Sequence, residues 1–162
     1  MKKLFILCAL AVSVTTIKAD EPFFQASLTP DIAVQDKGTR ISGICLSIWG
    51  ENPQSAFALG FVNGSSGDSK GFSWGLVNYA DNYTGVHWSF VNVSKGTFVG
   101  WQAGAFNYGK EFHGLQLGFV NVAEELKNGV QIGFANIALN NPWFNEFPDK
   151  LATGFPFVNW SF

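Results

Sequence analysis

Gly114-Leu-Gln-Leu-Gly-Phe-Val-Asn121 and Gly129-Val-Gln-Ile-Gly-Phe-Ala-Asn136 are two copies of one phrase, and their reading decides the fold. The phrase is a Gly or Ala, about six alternating residues, then Asn. It recurs seven times between residues 56 and 159, ending at Asn63, Asn78, Asn92, Asn107, Asn121, Asn136 and Asn159. Each copy must be the same small structural unit packed on its neighbours. Repetition of this kind specifies an architecture rather than a chemistry.

Within a copy the period is two, the strand period, because successive side chains point to opposite faces of the pleat. One face is bulky: Phe57, Leu59 and Phe61; Phe72, Trp74 and Leu76; Val86, Trp88 and Phe90; Leu115, Leu117 and Phe119; Val130, Ile132 and Phe134. The other is small and weakly polar: Gly100, Gln102 and Gly104; Gly114, Gln116 and Gly118; Gly129, Gln131 and Gly133, with Ser73 and His87 at the Gln position. A helix fails on composition as well as period, since each glycine of these pairs would cost about 1 kcal/mol in a helix interior. The pattern predicts eight strands, over 41–49, 55–63, 71–79, 85–93, 98–108, 113–122, 128–138 and 152–162. Connections such as 64–70 and 80–84 have ordinary turn chemistry. The segment 139–151 reads as a longer loop.

The N-terminus reads as an export signal over 1–19: Lys2 and Lys3, an apolar run from Leu4 to Val14, and a cleavage site at Ile17-Lys18-Ala19. That run is too short to span a bilayer, which takes about 20 residues. Export would leave an extension over 20–40 and a repeat-built β domain over 41–162. It would also remove Cys8 and leave Cys45 as the sole cysteine, which excludes an intramolecular disulfide and a cysteine-rich metal site. Loss of Lys2, Lys3 and Lys18 leaves seven basic against twelve acidic side chains, a net charge near −5. A nucleic-acid partner would need clustered Lys and Arg, so none is expected. The chain is 47% hydrophobic and only 14% charged, against a usual quarter charged. Beyond Ile41 every charge lies outside the repeated segments, from Glu51 and Asp68 to Asp149 and Lys150.

Three all-β architectures fit. The first is a small antiparallel up-and-down β-barrel of about eight strands in the outer membrane, with the bulky face on lipid and the small face filling a narrow lumen. Export, charge-free strands, an even strand count, one long loop and the ending Phe157-Val-Asn-Trp-Ser-Phe162 support it. So does the alternating 15 and 14 spacing of the Asn residues, as hairpins with different turns at the two barrel ends would produce. The second is a β-solenoid of 14–15-residue repeats with the bulky face inside and the Asn residues stacked as a ladder. Its weakness is that 64–70 and 122–128 offer little apolar surface to close a core. The third, a soluble closed barrel with the aromatic face inside, leaves uncharged strands facing water.

No catalytic constellation is visible, so neither an enzyme nor a metal or cofactor is expected. His87 and His113 are the only histidines, and nothing near them in sequence supplies further ligands or a nucleophile. Gln102, Gln116, Gln131 and His87 are the candidate polar row, either lining a lumen or forming a hydrogen-bonded ladder. Trp143, Phe144 and Phe147, in 139–151, form the candidate contact surface; alternatively they fold back and cap one end.

The unit Gly-x-Gln-x-Gly-hydrophobic-x-Asn, plain at Gly114–Asn121 and Gly129–Asn136, resembles that of bacterial exported surface-repeat proteins, while the C-terminus resembles that of outer-membrane barrels. The resemblance covers about 56–138. It implies a location in the outer membrane or at the cell surface of a bacterium and carries over no functional residues. Membrane lipid is the expected partner, with an extracellular ligand or protein left unspecified. Val86-His-Trp-Ser-Phe-Val-Asn92 lacks both the Gln and the second Gly, which puts a strict ladder in doubt there.

Overall fold

A computed structural model describes residues 21–162; the expected leader over 1–19, with Cys8, lies outside the described residues. The described chain contains no helix and five strands: β1 (Phe24–Thr29), β2 (Ile32–Ala33), β3 (Ile44–Asn52), β4 (Ser55–Ala138) and β5 (Gly154–Ser161). They form one open sheet in the order β2-β1-β3-β4-β5. β1 runs parallel to β3, with Phe24 opposite Ile44. β3 runs parallel to the start of β4, with Ile44 opposite Phe57 and Asn52 opposite Ser65. β5 runs antiparallel to the end of β4, with Gly129 opposite Ser161.

The all-β expectation holds, and the closed antiparallel barrel is corrected. An up-and-down barrel needs antiparallel neighbours throughout and a last strand that closes on the first. Here β2 and β5 are the free ends of an open order, and two of the pairings are parallel. The separate strands expected between 55 and 138 run on as one continuously paired stretch, Ser55–Ala138, that coils back beside itself every 14–15 residues. Segments with turn-like composition, such as 64–70 and 80–84, are where this stretch bends, as the left-handed Gly67 shows, and charges lie there and in the loop between β4 and β5.

The partners inside β4 explain how so long a strand is satisfied. Gln116 bonds to Gln102, Asn121 to Asn107, and the backbone of Gly114 lies against Gly100, all at a separation of 14 residues. A constant offset at successive positions places neighbouring copies side by side in the same direction. Hairpins would run the offsets in opposite senses. The approach is close: Gly100 sits at φ +134°, and a Cβ there would lie 2.0 Å from the Gly85 carbonyl oxygen. Only glycine fits such a backbone and such a gap.

The core is narrow and closed mostly by residues from the segments read as connections, with Phe98 from the start of an expected strand. Tyr83, Phe98 and Phe112 stack with ring centroids 5.7 and 5.5 Å apart. Leu126 continues this buried cluster, with Ala80, Ala123 and Ala138 beside it. One ring or Leu per copy suffices, because the opposite wall is built of Gly, Gln and Asn. A smaller cluster of Ile41, Cys45, Ala56 and Ala58 fills the N-terminal end. β1 and β2 come from the segment set apart as an extension, 20–40, and belong to the same sheet. Buried Gln25 ties that segment down, donating to the Gln35 carbonyl and to Asn52 Oδ1, both at 2.9 Å.

Candidate functional site

The small face of the repeat lies inside and builds two side-chain ladders. In the first, each Asn donates through Nδ2 to Oδ1 of the next: Asn63 to Asn78 at 2.9 Å, Asn78 to Asn92 at 3.2 Å, then Asn107, Asn121 and Asn136 at 2.8 Å each. The same Nδ2 groups also reach backbone carbonyls, as Asn92 does to Ala103 and Asn121 to Ile132, both at 3.0 Å. An amide has one acceptor oxygen and two N–H donors, so a column of them satisfies itself copy by copy. The seventh Asn leaves the column: after the long loop β5 runs backwards, and Asn159 pairs with the backbone of Ala152.

The candidate row of Gln102, Gln116 and Gln131 is brought together as the second ladder. Gln131 donates to Gln116 and Gln116 to Gln102, both at 2.8 Å. All three also donate to a carbonyl six residues onward, Tyr108, Val122 and Ile137 respectively. All three are fully buried. His87 takes the Gln position one copy earlier and breaks the pattern. Its ring lies 4.2 Å from Tyr83 and 5.0 Å from Phe98, and neither ring nitrogen has a hydrogen-bond partner among the described residues. Burial pushes its pKa down to about 3, so it is a neutral imidazole packed as an aromatic.

The bulky face lies outside. Phe61, Trp74, Leu76, Trp88, Phe90, Phe119 and Phe134 are all exposed, Phe90 to 67% and Phe119 to 63%. This corrects the expectation that side-by-side copies would turn the bulky face inward. The physical reason is the interior gap, where even a Cβ at Gly133 would lie 2.0 Å from the Gly118 carbonyl oxygen. No side chain fits at the glycine positions of that wall, whereas the Gln position between them takes amides that bond along the stack and, in one copy, the His87 ring. The exposed side chains line up in rows, with Phe57 stacked on Phe72 and Phe119 on Phe134 at 5.0 Å.

These rows form three columns. The first runs Phe24, Ile44, Phe57, Phe72, Val86, Trp101, Leu115 and Val130; the third runs Leu28, Ile48, Phe61, Leu76, Phe90, Ala105, Phe119 and Phe134. Leu46, Leu59, Trp74, Trp88 and Ile132 stand between them, and no column contains a charged residue. Eight rows at the usual strand spacing make a face about 34 Å long. A groove of about 420 Å³ runs between Leu59 and Trp74 on one side and Phe61 and Leu76 on the other, floored by Gly60 and Gly75.

Charge is held on the opposite side and the edge. Lys127 pairs with Glu111 at 3.2 Å and with Glu125 at 3.1 Å. The Glu111 carboxyl is held low by hydrogen bonds from His113 and Lys127. Lys37 pairs with Glu51 at 3.0 Å, and Lys95 sits over the Tyr79 ring. Burial pushes the Cys45 thiol up to about 12, so it is a poor nucleophile. Among the described residues no group of three or more His, Cys, Asp or Glu side chains is placed to hold a metal ion.

Trp143, Phe144 and Phe147 remain at least half exposed and lean on β5. Phe144 meets Phe155 edge-on at 5.9 Å, and Phe147 lies 6.3 Å from Trp160, whose indole donates to the Pro148 carbonyl. They fold back onto β5, the terminal strand of the sheet. The residues that sequence reasoning missed are Tyr83, Phe98, Phe112 and Leu126. Their spacing of 15, 14 and 14 falls in the same 14–15-residue range as the Asn repeat and was the available signal. No family model, no curated protein and no solved structure matches the chain.

Proposed function

We propose that this is an exported cell-envelope or surface protein without catalytic activity, built as a β-solenoid of 14–15-residue repeats, and that its outer aromatic face is an interaction surface. The carrying observation is that face: an uncharged, ring-rich sheet surface presented by every copy. Monomeric soluble proteins rarely expose an apolar patch beyond about 300–600 Å², and larger ones mark sites of association. The solenoid reading is supported by the constant offset between copies and by the two ladders, which make each copy bond to the next. The N-terminal leader pattern and the surface-repeat unit support export. The buried Asn and Gln ladders support a structural role for the amides, and aromatic packing against Tyr83 and Phe98 supports one for His87.

Membrane fractionation with gel mobility before and after boiling tests the reading. Expected are release from the envelope by alkaline carbonate and a single band in detergent whether or not the sample is boiled. A band whose mobility changes on boiling, retained in the integral membrane fraction, would replace the solenoid with a closed transmembrane barrel.

A further inference from the structure

We infer that the occupant of the aromatic face is a second copy of this chain, packed face to face. The inference rests on reading that face as the interaction surface. Its area is sufficient: nine exposed aromatic side chains stand on it, and at 150–250 Å² each, about half exposed, they alone offer on the order of 1,000 Å². A standard stable interface needs about 800 Å² per partner.

Shape selects the partner further. The face is a set of ridges and grooves that repeats once per copy, at the spacing of neighbouring strands. A partner that fills the Gly60 and Gly75 groove and its equivalents along the stack needs side chains at that same spacing, and another copy of the chain carries them. Sheets pack face to face in this way at about 10 Å with interdigitated side chains. Charge points the same way. The columns hold no charge, so two copies meet without burying an unpaired ion. An anionic membrane is disfavoured, because surface helices and sheets held there rely on Lys and Arg. The chain is net acidic, and Lys127 and Lys37 are already paired with carboxylates.

Sedimentation velocity on protein purified from cells expressing the full chain, across a concentration series, provides the test, with vesicle flotation beside it. The expected result is a dimer that Trp88→Lys weakens at least thirtyfold, roughly the loss of one buried anchor, while Lys110→Ser leaves it unchanged. Phe90→Ser serves as the second variant, and circular dichroism shows both remain folded. A dimer that persists unchanged in both face variants overturns the proposal. A monomer that floats with phosphatidylcholine vesicles, and loses this in Trp88→Lys, also overturns it and leaves the interaction face standing with lipid as occupant. A monomer that ignores vesicles overturns the proposal as well.

Discussion

The two faces of each repeat differ by one residue along the chain and are governed by opposite demands. Inside, at Gly100, Gln102 and Asn107, the neighbouring backbone is so near that side chains are either absent or bonded to their counterparts. Outside, at Trp74, Trp88 and Phe119, large rings stand half in solvent and touch only their neighbours in the row. Specificity of the fold therefore resides in the small, weakly polar face, and the proposed association in the large one. Hydrophobic size alone would assign these roles the other way round.

Substitutions that carry the demands of one face onto the other should break this contrast. Gly100→Val is expected to have the largest effect, at least about 4 kcal/mol, because it combines a forbidden φ with a backbone clash. Failure to recover folded protein, or a collapse of the thermal midpoint, would show it. Asn107→Leu keeps the branched shape and removes one rung, stranding the Asn92 donor and the Asn121 acceptor. It should cost about 3 kcal/mol in denaturant titration. A loss below about 0.5 kcal/mol would mean that the ladder is incidental.

His87 sharpens the comparison through pH. Its folded pKa, about 3, lies below the unfolded value of 6.5, so the unfolded chain takes up the proton first as pH falls. Its contribution to stability is complete above pH 6.5 and is lost on the way down toward 3. Between pH 6.5 and 5 this amounts to about 2 kcal/mol. His87→Gln should remove that part of the slope, as followed by the thermal midpoint across the window. The smallest effect is expected outside: in the monomeric Trp88→Lys background Leu76→Ser should move stability by less than about 0.5 kcal/mol, and a larger loss there would place that face in the core after all.

Much of the candidate site was legible in sequence. The alternation at Gly114–Asn121 separated the two faces, and recurrence of Gln102, Gln116 and Gln131 at one position foreshadowed a ladder. The break at His87 was legible too, since that copy lacks both Gln and the second Gly. The N-terminal segment was less so: nothing in Phe24–Thr29 announces that it will add a parallel row to the sheet. Nor did Asn159, which keeps the phrase, reveal that β5 would run backwards.

By itself the sequence determined the strand period, the charge-free faces and the length of the repeat, because these are properties of neighbouring residues and their spacing. Only the tertiary structure decided the direction in which each copy meets the next. A spacing of 14 or 15 accommodates a hairpin pair or a parallel step equally well, and no local preference separates them. That direction in turn decided which face lies inside. Once copies run parallel at a fixed offset, Asn meets Asn and Gln meets Gln, and the glycine positions between them leave no room for a side chain. The rings of Trp74, Trp88 and Phe119 are therefore left outside.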